Sequence, residues 1–146
     1  MDIRRRDTEL ISEHGGTIKS LFFYKMEELR TETMGGYLEF IDEFTLAAGG
    51  ALEPHSHDSD EFYYLLEGSG TMTVADESEV LRAGELVRIR PNLIHSIRAD
   101  QGSDIRAVAF AVSYMPEDKV GYTAHPTDGR EPHFVSTHYW EEGRSK

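Results

Sequence analysis

Three histidines and one glutamate carry the strongest chemical signal in this sequence: His55, His57, Glu61 and His95. Residues i and i+2 of an extended segment project to the same side, so His55 and His57 can aim at one point while Ser56 points away. Asp58-Ser59-Asp60 has turn composition, which lets Glu61 open the next strand and swing its carboxylate back towards the two imidazoles. His95 comes after a turn at Pro91-Asn92 and heads a later strand. Asn is one of the few residues other than Gly that tolerates the left-handed backbone such a turn calls for.

In a shuffled chain of this composition the spacing His-x-His-x-x-x-Glu is expected about 0.04 times, so coincidence explains it poorly. Three neutral imidazoles and one carboxylate suit a single divalent transition metal: iron(II), manganese, nickel, cobalt, copper or zinc. Positions stay open for water and substrate on any ion that prefers six ligands. A carboxylate inside an apolar core is costly unless it is paired or coordinates a cation, and a metal at Glu61 removes that cost. The donors and a divalent ion sum to a net charge of about plus one, which attracts an anion, so an anionic or enolisable small-molecule substrate is expected.

Two further residues are catalytic candidates. Tyr63 shares the Glu61 face two residues on and could offer its hydroxyl to a substrate, with core packing as the plainer reading. Arg106, on a late strand, could clamp a substrate carboxylate, with a solvent ion pair as the competing reading. Alternation puts Glu39 and Glu43 on one face with Tyr37 and Ile41, where exposure is expected and a general base is the alternative. His133 and His138, beside Trp140, read as packing or dimer contacts. His14 and His125 have no neighbours in the sequence that suggest a role.

These side chains need rigid strands to hold them. Thr17 to Phe23, Gly36 to Leu46, Phe62 to Leu66, Gly70 to Val74, Glu85 to Ile89 and Ile105 to Tyr114 are rich in aromatic and branched residues, with turn formers between most of them. Ala107, Ala109 and Ala111 alternate with Arg106, Val108, Phe110 and Val112, giving one narrow face suited to a tapered barrel interior. One short helix is expected around Lys25 to Thr31, with Met26 and Leu29 at i, i+3. The tail after Pro116 reads as an arm packed on the barrel or on a neighbouring subunit.

Length and composition narrow the partners. A chain of 146 residues fits one domain, since an independent core needs roughly 100 to 150 residues. The net charge of -12 opposes the counterion release that drives contact with nucleic acid, so neither nucleic acid nor an anionic membrane is an expected partner. No apolar run is long enough for a spanning helix, and the first residues lack a signal peptide's apolar segment. The absence of cysteine excludes disulfides, iron-sulfur clusters and thiolate metal sites and permits a cytoplasmic location, which is the one expected.

The motif Gly49, five residues, His55, one residue, His57, three residues, Glu61, six residues, Gly68 resembles the first conserved motif of the cupin superfamily at every position. The second motif is met in part by Gly84 and His95, with Arg90 where proline is usual, Asn92 in a glycine slot and Ala99 in place of a final Asn. The resemblance spans about Leu38 to Tyr114. It implies an all-β fold, a double-stranded β-helix or cupin jelly-roll barrel of two antiparallel sheets. It also implies a single domain over residues 1–146, with extensions 1–37 and 115–146 packing on the barrel or a partner, and often a homodimer.

The resemblance further implies a metal-dependent enzyme acting on a small metal-chelating keto acid, diketone or enol. Its chemistry is Lewis-acid stabilisation of an enolate or alkoxide, or dioxygen chemistry with iron(II), the second being preferred. The alternatives are a cupin isomerase, decarboxylase or lyase, and, in another class, a non-catalytic cupin that binds a small molecule or sugar.

Overall fold

Runs of branched and aromatic residues, each ended by Gly, Asp, Asn or Pro, favour short extended segments that pair into sheets. The computed structural model describes residues 1, 3–7, 9–32, 37–116 and 119–136. Among these it contains β1 (Ile11–Glu13), β2 (Ile18–Tyr24), α1 (Met26–Glu32), β3 (Leu38–Leu46), β4 (His55–Ser56), β5 (Asp60–Glu67), β6 (Ser69–Val74), β7 (Glu77–Arg82), β8 (Leu86–Ile89), β9 (His95–Ala99), β10 (Ile105–Val112), β11 (Gly121–Ala124) and β12 (His133–Ser136). The strands form two antiparallel six-stranded sheets, ordered β1-β2-β3-β10-β5-β8 and β12-β11-β4-β9-β6-β7. The fold is an all-β jelly roll, as expected.

The sheets close over a core that includes Phe44, Leu46, Leu52, Leu65, Ile89, Ile97 and Ile105, each almost wholly buried. Each such side chain stabilises the fold by about 1.5–3 kcal/mol relative to leaving it in water. Ala107, Ala109 and Ala111 form the buried face of β10, and their small size leaves room inside the barrel. Gly68 turns β5 into β6 with φ at +83°, and a Cβ there would run into the Asp104 carbonyl, so glycine is required. In α1, Met26 and Leu29 are buried as their spacing predicts, one residue from the expected bounds. No helix among the described residues is long and apolar enough to cross a membrane.

Several elements were not legible. The β7 sequence Glu-Ser-Glu-Val-Leu-Arg buries only Leu81, yet it pairs with β6 along its whole length. It is an edge strand, where charges guard the free side and mask the usual pattern. The tail adds β11 and β12 to the edge of the second sheet beside β4. His138, Tyr139 and Trp140 lie outside the described residues.

The expectation of an exposed face for Glu39 and Glu43 is corrected. Both are buried, at 6% and 5% exposure. Glu43 lies beneath Arg6 and Arg106, which pair with its two oxygens at 2.9 and 2.6 Å. Glu39 is extra to the ladder, because Ala111 pairs with Phe40 and Val112 with Leu38. Such a bulge re-aims the unpaired side chain, and Glu39 lines the cavity described below together with the inward residues Phe40, Asp42 and Phe44.

Candidate metal centre and its cavity

Strand pairing assembles the cluster. β4 and β9 meet at a single pair, His55 opposite His95, and Glu61 lies at the start of β5 between Ala111 of β10 and Ile89 of β8. Donor atoms of His55, His57, Glu61 and His95 all lie within 4.8 Å of one another. Asn92 adopts φ +66° in the turn before β9. Its amide donates to the His57 carbonyl at 2.8 Å, and its side chain donates to Asp58 at 3.1 Å. This turn ties the two halves of the cluster together.

The far side of each ring is held. His55 Nδ1 lies 2.8 Å from the Glu53 carbonyl and His95 Nδ1 lies 2.9 Å from the Leu93 carbonyl. A carbonyl can only accept, so both rings carry their proton on Nδ1 and keep a lone pair on Nε2. His57 Nδ1 meets the Ser59 hydroxyl at 2.8 Å, and its Nε2 lies 3.1 Å from Glu61 Oε1. This is the outer-partner arrangement that orients histidines towards a metal. His95 Nε2 is buried without a hydrogen-bond partner, 3.4 Å from Glu61 Oε1. A bound cation would satisfy that lone pair, and the donor set fits one divalent ion.

The electrostatics differ among the donors: burial would lower the His57 imidazole, but the Glu61 charge and hydrogen bond outweigh it and raise it, so a bound cation would take the place of a proton there. Burial, then the neighbouring His14 and His95, pushes the His55 imidazole well below its ordinary pKa, so it stays neutral and available to a cation. Burial alone would push the Glu61 carboxyl up. The His57 charge and hydrogen bond, with His95, outweigh it and hold Glu61 well below the usual carboxylate range.

The cluster opens on a cavity of about 70 Å³, lined also by Glu13, His14, Ile18, Phe22, Met26 and Tyr122. That is room for about five waters, or a ligand of a few heavy atoms. Tyr63 lines it, 3% exposed, with its ring edge-on to Phe44 at 5.1 Å and to His95 at 6.3 Å. Burial, then Glu61, raises the Tyr63 hydroxyl well above its ordinary value, so it remains protonated.

Arg106 is elsewhere. It bonds Glu43 and, at 2.7 Å, Glu67, and does not line the cavity. His133 is exposed on β12, with its Nδ1 3.1 Å from the Glu131 carbonyl.

His14, Glu13 and Asp42 are cavity residues to which sequence reasoning gave no role. His14 follows β1 with φ +52°, stacks on Tyr122 and lies tilted against His55, each with ring centroids 4.2 Å apart. Burial pulls its pKa down to about 3. Glu13 precedes it, 8% exposed. The local signal was the alternation of Ile11 and Glu13 ahead of the turn former Gly15-Gly16, too short to mark a strand. His125 takes a smaller part, its Nε2 lying 2.9 Å from the Ser56 hydroxyl.

Comparison with known proteins bears on the same region. Residues 42–112 match the family described as Cupin domain. An uncharacterised protein of Sinorhizobium fredii, y4oW, is 27% identical over 77 residues, which is 53% of this chain and 35% of that protein. The chain thus matches about a third of that relative's length.

Among solved structures, a protein of Thermotoga maritima named as a predicted oxalate decarboxylase superposes with a TM-score of 0.63 at 19% identity, covering 76% of this chain and 98% of that one. A Cupin 2 conserved barrel domain protein of Salinispora arenicola gives 0.64 at 16% identity, over 78% and 90%. A cupin-2 domain of Rhodospirillum rubrum gives 0.61 at 13% identity, over 100% and 87%.

Proposed function

We propose, from the premise that this chain carries a cupin superfamily domain, that it is a metal-dependent enzyme acting on a small keto acid, diketone or enol that chelates through two oxygens. The observation that carries this reading is the set of four donor atoms within 4.8 Å, three of whose residues, His55, His57 and Glu61, line a cavity sized for a few heavy atoms. A bound divalent ion would supply Lewis-acid stabilisation of an enolate or alkoxide, and iron(II) in this set would supply dioxygen chemistry.

The chain's own residues prepare the site. The Glu53 and Leu93 carbonyls and the Ser59 hydroxyl lock the three imidazoles, so little reorganisation remains when a substrate arrives. Phe22, Phe40 and Phe44 line the cavity and exclude water, which strengthens every polar contact inside it. The Tyr63 hydroxyl, which donates to the Glu61 carboxylate, stands on the cavity wall where a substrate oxygen could compete for it.

The test is metal analysis of protein purified under nitrogen, followed by oxygen uptake against a panel of diketones and keto acids. We expect one transition metal per chain and oxygen consumption with a member of the panel. Loss of substrate absorbance without uptake would move the reaction to isomerisation, decarboxylation or elimination. Protein that holds no stoichiometric metal and gains nothing when metal is added would overturn the enzymatic reading.

A further inference from the structure

The cavity has a second polar region that the metal reading does not use. Glu13, at the end of β1, and Asp42, in the middle of β3, line the cavity that holds the donor cluster. They are 8% and 5% exposed, and among the described residues no Lys or Arg stands within ion-pair distance of either. Glu43, one residue along the same strand, has two arginines. Asp42 Oδ1 is buried with no hydrogen-bond partner.

A buried carboxylate without a cation is costly, and two that share one site relieve the cost by holding a proton between them. The titratable groups facing the pair are Glu61 and Tyr63 from β5, His14 from the turn after β1, Lys25 before α1, Glu39 from β3, His55 and His57 from β4 and the turn that follows it, Tyr122 from β11, and Glu43 behind Asp42. Burial, with Glu61 adding and the Ser20 hydroxyl opposing, pushes Glu13 up to about 7. Burial, then Glu13 and Glu61, lifts Asp42 well above the carboxylate range against a hydrogen bond from the Ala109 amide.

Resting on the function proposed above, we propose that Glu13 and Asp42 form a carboxyl pair that accepts the acidic hydrogen of an uncharged, enolisable substrate held at His55, His57, Glu61 and His95. The resting pair holds one proton and one negative charge. The substrate's C–H or enol O–H bond breaks, its electron pair stays on the substrate as an enolate, and a new O–H bond forms on the pair. The second proton leaves with product. Glu13, Glu39 and Asp42 line the cavity against a single lysine, Lys25, and disfavour entry of a dicarboxylate, while Phe22, Met26, Phe40 and Phe44 favour a small apolar body. The anion therefore arises inside the cavity. Glu13 lies outside the residues 42–112 that match the family, so this half of the pair belongs to the chain's own N-terminal hairpin.

The full-length protein is loaded with cobalt(II), whose visible spectrum reports its donors, and titrated at pH 7 with acetylacetone in weak buffer, counting enolate and released protons together. Wild type should form the enolate while releasing clearly less than one proton for each. The double variant Glu13→Gln, Asp42→Asn should keep the cobalt spectrum and either release about one proton per enolate or form on the order of 10-fold less enolate. Equal enolate and equal release in the two proteins would overturn the proposal.

Because the variant can fail to fold, wild type is also examined by infrared spectroscopy at pH 7 without metal. A protonated-carboxyl band there supports the pair, and its absence overturns it. A cobalt spectrum lacking the imidazole and carboxylate donors would instead overturn the metal reading, with the infrared band still deciding the pair.

Discussion

Glu61 and Glu13 line one cavity and are almost equally hidden, at 6% and 8% exposure, yet their carboxyl groups are pushed in opposite directions. Around Glu61 stand His57 and His95, which favour its charge. Around Glu13 stand Asp42 and Glu61, which oppose it. Burial raises both groups, so depth does not separate them; the charge of the neighbours does. The cavity thus holds a donor end built for a cation and a carboxyl end built to hold a proton.

The largest expected effect breaks the donor end alone. Glu61→Gln keeps the shape and removes the charge, and should weaken metal binding by more than about 100-fold, beyond the roughly 10–100-fold typical of an outer partner. Glu13→Gln should leave metal affinity intact. Metal analysis after dialysis against a competing chelator checks both, and equal loss in the two variants would erase the distinction between the ends.

The next effect is a difference in pH dependence. The Glu13 carboxyl ionises near 4.5 in the unfolded chain and near 7 in the folded one. The folded state therefore keeps its full advantage below about pH 4.5 and loses it as the pH rises towards 7. Over that window metal-free wild type should lose on the order of 3 kcal/mol relative to Glu13→Gln. Glu61 has the opposite sign, with stability present above the ordinary carboxylate range and lost as pH falls through its depressed value. Denaturant melts across the pH range read both slopes, and a flat wild-type difference would refute the first.

A smaller change sharpens the donor end. Ser59→Ala removes the hydroxyl at His57 Nδ1 and should cost roughly 10–100-fold in metal affinity while leaving the infrared band of the carboxyl pair unchanged. The smallest effect belongs to neither end. Arg106→Ala leaves Glu43 with Arg6 alone and removes the Glu67 pair on the barrel's outer face; it should lower the melting temperature and leave metal affinity unchanged.

The donor cluster was legible because each of its members is set by local geometry. His55 and His57 share a strand face, the Asp58 to Asp60 turn returns Glu61, and Asn92 supplies the left-handed turn before His95. The alternation of Ala107, Ala109 and Ala111 likewise reported a buried face directly, since it needs only the period of one strand. Tyr63 fell on the cavity wall for the same reason, two residues after Glu61. Arg106 lay one position off that wall, on the alternate face of β10, where two glutamates hold it.

What the sequence by itself determined was therefore the all-β class, the spacing of four donors and the turns that return them, all effects of neighbours within a few residues along the chain, with the jelly roll implied by the motif resemblance. Tertiary structure alone decided the carboxyl end. A bulge opposite Ala111 and Val112 turns Glu39 inward, and the β1-β2 hairpin brings Glu13 and His14 into the cavity with Asp42. Strand pairing joins residues far apart in the chain, and the electrostatic state of a buried group depends on which charges that pairing places beside it.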